Sequence, residues 1–99
     1  MRLEILVATL KSGYREEDLT AIMRWNTQWH RDRGISDVRY FVSEDRGSFV
    51  MMVPHQEAAS DAAAKEWEAS GVENETWWRE MMQKVIVQGK SGMYHEAHP

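Results

Sequence analysis

The segment 38–54 reads VRYFVSEDRGSFVMMVP, and it decides the fold. Val38, Tyr40 and Val42 alternate with Arg39 and Phe41, the period of two expected of a strand. Glu44-Asp45-Arg46-Gly47 supplies a turn, and Pro54 stops the returning arm. That arm, Phe49-Val50-Met51-Met52-Val53, is apolar at every position. Both of its faces must therefore be covered, which suits a strand in the middle of a sheet.

On the N-terminal side, Glu16 to Arg33 has the pattern of a helix, with Leu19, Ile22, Met23 and Trp29 as its apolar stripe. Glu16, Glu17 and Asp18 fall in the first turn, where the positive end of the helix dipole favours them, and Gly34 ends the run. Before it, Leu3 to Leu10 places Leu3, Ile5 and Val7 on one face of a strand and Leu6, Ala8 and Leu10 on the other. This is the second strand that is apolar on both faces. On the C-terminal side, alanine-rich Gln56 to Ala69 favours helix, and Gly71 closes it. Asn74 is placed to cap a further helix carrying Trp77, Trp78, Met81, Met82 and Val85. Gly89 and Gly92 bracket a turn, with Met93 to Ala97 as the last strand; a strand at Val85-Ile86-Val87 is the alternative.

The order is strand, helix, strand, strand, helical region, strand. It predicts one α+β domain over residues 1–99, a ferredoxin-like βαββαβ fold with a four-stranded antiparallel sheet. In that topology the first and third strands are central, in agreement with their two apolar faces. The helices cover one face of the sheet only, and a second copy related by two-fold symmetry is the simplest cover for the other.

Composition narrows the partners. The chain has 12 Lys and Arg against 16 Asp and Glu, a formal net charge of −4. The basic residues make no like-charged run, so a nucleic-acid face is disfavoured. No apolar run approaches the roughly 20 residues that span a bilayer. Cysteine is absent and Glu4 interrupts the start, where a secretory leader would be uniformly apolar; both point to the cytoplasm. There is no HExxH, Gly-rich phosphate loop or GxSxG. His95 and His98, three apart on a strand, would face opposite ways and make a poor metal pair, so no metal site is expected. His55, after Pro54, is expected in solvent.

Chemistry concentrates on the first helix. At about 100° per residue, Asn26 and His30 fall on the stripe of Leu19, Ile22 and Met23. Polar groups on an inward face are either bonded within the core or set at the polar end of a ligand pocket. In the second case Asn26 would donate to a ligand oxygen, and His30 or Tyr40 would move a proton. The five tryptophans and seven methionines are the other unusual feature. A Trp and Met stripe at helical spacing fills cores, and it also makes an adaptable wall for a flat ligand. On the second reading Trp25, Trp29, Met51, Trp67, Trp77, Trp78 and Met81 would hold the ligand.

The chain resembles the dimeric α/β-barrel superfamily of the antibiotic-biosynthesis monooxygenase and NIPSNAP-like type. The resemblance covers essentially the whole chain. It lies in Leu10-Lys11-Ser12-Gly13 after the first strand, the helix ending at Gly34, the Arg46-Gly47 hairpin, and the helices bearing Trp67 and Trp77. It implies a homodimer packed sheet to sheet. Some members degrade heme with an Asn on the first strand and a His on the later helix, and this chain has neither. Others are mutarotases, but Trp25 and Ala21 stand where their His and Tyr would be. The monooxygenases of this fold work without metal or flavin, using Asn, Trp, Tyr or His around an aromatic substrate. The implied activity is metal-free proton transfer and enolate chemistry, of monooxygenase, isomerase or cyclase type, on a small apolar, aromatic or polycyclic molecule, with no cofactor. The alternative is a non-catalytic module that binds such a molecule.

Overall fold

The computed structural model describes residues 2–55 and 57–99, apart from the side chains of Glu57 and Asn74. The strands are β1 (Arg2–Leu10), β2 (Arg39–Val42), β3 (Ser48–Pro54) and β4 (Ile86–His95). The helices are α1 (Glu16–Arg31), α2 (Glu57–Ser70) and α3 (Thr76–Val85), with one tight turn at Val72–Asn74 between the last two. The sheet order is β2-β3-β1-β4, with every neighbour antiparallel. This is the ferredoxin-like order, and β1 and β3 are the central strands.

Local chemistry explains the joints. In the hairpin, Asp45 Oδ1 accepts hydrogen bonds from Ser43 Oγ at 2.6 Å and Gly47 N at 2.9 Å. Those two donors, the serine first, hold the Asp45 carboxyl below its ordinary range. Their support of the turn is therefore present at neutral pH and is lost as acid protonates the group. The left-handed position of the turn is Arg46 (φ 59°), not Gly47. Arg46 ion-pairs with Glu16, which ties the hairpin to the start of α1. That helix ends two residues earlier than Arg33. Gly34 takes φ 78°, and Ile35 N–H returns to the His30 carbonyl at 3.0 Å. Ile35 is thereby buried against Val53 and Ala63. Glu75, rather than Asn74, holds the N-cap position of α3.

The last strand departs most from expectation. β4 begins directly after α3 and pairs with β1 from Ile86–Leu10 to His95–Arg2, so Gly89 and Gly92 lie inside a strand. At Gly89 the cause is steric: a Cβ there would lie 3.2 Å from Leu6 Cδ1 and 3.4 Å from Ala8 Cβ. The glycine lets a strand pass over a packed neighbour, a use sequence does not distinguish from a turn. Gly89→Val should accordingly cost about 1–3 kcal/mol by overpacking, read as a lower Tm with unchanged strand content in circular dichroism.

The molecule measures 38 × 38 × 18 Å, one sheet and one helical layer. Its core falls into two clusters on the helix side. Ala8, Leu10, Leu19, Ile22, Phe49 and Val85 form one; Ile35, Val53 and Ala63 form the other. Strand pairing assigns Leu3, Ile5, Val7, Phe41, Val50, Met52 and Tyr94 to the opposite face. No described element covers that face, and Val7, Phe41 and Tyr94 are 44–50% exposed.

Candidate functional site

Between the two core clusters the sheet and helices leave a cavity of about 370 Å³. This is within the range of small-molecule sites. Its floor is the helix side of the sheet: Leu6, Tyr40, Phe49, Met51 and Val53. Its walls are Ile22, Asn26, Trp29 and His30 from α1, Ala63, Ala64 and Trp67 from α2, and Trp78 and Met82 from α3. A second cleft, about 320 Å³, lies at the junction of α1 and β2. It is lined by Thr27, Arg31, Ile35, Ser36, Asp37, Val38 and Arg39. It has no aromatic wall, so the first cavity is the better candidate for an apolar ligand.

Asn26 is 5% exposed and heavily committed. Its Nδ2 donates to Tyr40 Oη at 3.2 Å and to Met51 Sδ at 2.9 Å, which occupies both amide protons. Tyr40 Oη also lies 2.9 Å from Thr27 Oγ1 and donates to the Met23 carbonyl at 3.1 Å. One helix and two strands are thus cross-linked through a single amide and a single phenol. The protons that the sequence assigned to a ligand are used inside the protein.

His30 is different. Its Nδ1 lies 2.8 Å from the Asn26 carbonyl, and a carbonyl only accepts, so Nδ1 carries the proton. In the neutral ring Nε2 then keeps its lone pair, and it has no hydrogen-bond partner among the described residues. Trp29 packs edge-on to this imidazole, with ring centroids 5.1 Å apart.

All five tryptophans form one connected cluster. Trp29, Trp67 and Trp78 line the cavity. Trp25 stands behind them, 5.8 Å from Trp67, 5.3 Å from Trp77 and 5.2 Å from Trp78. Trp77 is 42% exposed and lies outside the lining, as does Met81, which packs on the first core cluster. The expected binding set therefore divides: Trp29, Met51, Trp67 and Trp78 meet at the cavity, while Trp25, Trp77 and Met81 support it from outside.

Sequence reading passed over several lining residues. His55 was expected in solvent, but its side chain is 14% exposed, lines the cavity and lies 3.4 Å from Asp61. Glu4, Glu68 and Glu73 also line it. The signal for Glu4 was present, since the helix-facing series of β1, Arg2, Glu4, Leu6, Ala8 and Leu10, is apolar from Leu6 on and charged only at Arg2 and Glu4. Glu68 and Glu73 had none, because their places depend on how α2 and α3 meet. Among the described residues no group of three or more His, Cys, Asp or Glu could hold a metal ion. No described helix is long and apolar enough to cross a membrane.

No family model and no curated protein matches the chain. Solved structures do. A Nitrosomonas europaea protein named as a candidate antibiotic biosynthesis monooxygenase superposes with TM-score 0.64 at 18% identity, over 99% of this chain and 100% of that one. A NIPSNAP domain protein of Burkholderia xenovorans gives 0.64 at 14%, over 98% and 95%. A dabb family protein of Mesorhizobium loti, named for its ferredoxin-like fold, gives 0.58 at 12%, over 98% of each chain. At these identities what is shared is the fold, end to end, and it is the fold of the superfamily that the sequence resembles.

Proposed function

We propose that two copies of this chain pair through their open sheet faces and that each uses its cavity to bind a small aromatic molecule and remove a proton from it. The observation that carries this reading is His30, fixed through Nδ1 with Nε2 uncommitted, in the lining of a cavity walled by Trp29, Trp67 and Trp78. A base held in one orientation beside an apolar, ring-shaped site is suited to abstracting a proton next to a carbonyl. The resulting enolate can isomerise, cyclise or react with oxygen, and the residues that start it are all in this chain. The fold is shared with proteins named for monooxygenase activity, which supports the same class. Asn26 and Tyr40 act here as positioning residues, since their protons are already engaged.

That same engagement favours a second reading, a module that binds the ligand and releases it unchanged. Tetralone, an aromatic ketone with exchangeable α-protons, separates the two. Dissolved in heavy water with the protein, it should lose its α-proton NMR signals well above the buffer rate. Quenching of tryptophan emission without exchange would identify the binding module. Neither effect would sink both.

A further inference from the structure

The charge of the cavity limits what can enter it. Its lining contains three carboxylates, Glu4, Glu68 and Glu73, and no Lys or Arg among the described residues. None of the three is in an ion pair with a described residue. Arg33, outside the lining, lies 3.8 Å over the Trp29 ring and is paired with Glu66. Three of the cavity's donors are already engaged. The Asn26 amide, the Tyr40 hydroxyl and the Trp67 indole N–H all donate within the protein, the last to Glu73 at 2.9 Å. What stays open includes the acceptors His30 Nε2 and the Glu4 and Glu68 carboxylates, beside the neutral indole N–H groups of Trp29 and Trp78. Glu4 lies on the strand floor and Glu68 and Glu73 on the helical side, so the negative potential is not confined to one wall. Tryptophan faces add attraction for a cation and none for an anion.

We infer that the cavity selects aromatic ligands bearing a protonated amine and rejects those bearing a carboxylate or phosphate. This rests on the reading of the cavity as a ligand site, and it deepens that reading by naming the ligand's charge. Carboxylic acids and phosphorylated or coenzyme A-linked substrates are excluded by the same electrostatics that favour an amine.

The test uses naphthylethylamine, naphthylethanol and naphthylacetate, matched in ring and differing in charge. Each is titrated calorimetrically at about pH 8, where free histidine is neutral. Tryptophan side-chain N–H signals in proton–nitrogen NMR locate the binding. The expected order is amine, then alcohol, then acetate, with about a tenfold or larger gap between the ends at low salt. Raising the salt should narrow it. Glu4→Gln with Glu68→Gln should shrink the amine's advantage over the alcohol and leave the alcohol's affinity in place. Equal affinities for all three, or tightest binding of the acetate, would overturn the charge inference while leaving the cavity a ligand site. Failure of all three to bind would overturn both.

Discussion

His30→Ala is expected to reduce tetralone α-proton exchange by about 10²- to 10⁴-fold, the usual contribution of a positioned general base, while leaving ligand affinity within a few-fold. The expectation comes from how the imidazole is held. The carbonyl of Asn26, one turn earlier on α1, receives Nδ1–H at 2.8 Å and fixes both the ring plane and the tautomer. Only Nε2 is then left to accept a proton. His30→Gln is the sharper variant, because an amide can bond the same carbonyl but lacks a basic nitrogen. It should retain the fold and tryptophan quenching and lose exchange. Wild-type exchange in both variants would remove the proton-transfer role and leave the binding module.

The sequence disclosed the parts of this molecule that depend on local chemistry. The uniformly apolar arms at 3–10 and 49–53 identified the two central strands, because a strand buried on both faces has no polar alternation. The α1 stripe placed Asn26 and His30 inward for the same reason, and both are in the lining. What was hidden depends on how the elements meet. Gly89 reads as a turn until β1 is laid beside it and its missing side chain becomes a clearance over Leu6 and Ala8. The partners of Asn26 are Tyr40 from β2 and Met51 from β3, and only the register of those two strands brings them to one amide. The tryptophans have equal sequence credentials. Trp29, Trp67 and Trp78 reach the cavity while Trp25 is buttress, because the crossing of three helices sets which ring is in front.

If two copies pair through the open sheet as proposed, Val7→Lys should leave a monomer at micromolar concentration, a loss of affinity of 100-fold or more, on the order of 3 kcal/mol. Val7 sits at the middle of the open face, 47% exposed in the single subunit, so a lysine there costs the isolated fold little. Across the strands it pairs with Val50 on one side and Lys90 on the other. The face is graded in the manner of an interface. Leu3, Ile5, Val7, Val50 and Met52 lie on the central strands, while the edge strands mix Phe41 and Tyr94 with Arg39 and Lys90. A new lysine would put charge at the apolar centre, next to an existing Lys90, and two-fold symmetry would impose the penalty twice. Glutamate at the same site would be a weaker test, because Lys90 would partly neutralise it. Val42→Lys is the matched control. That valine is also exposed, but it pairs with Phe49 on the helix-facing side of the edge strand, so its variant should remain dimeric. Sedimentation velocity distinguishes the outcomes. A compact monomer in the wild type, or a dimer that survives Val7→Lys, would mean that this apolar face is left bare or covered by something other than a second copy.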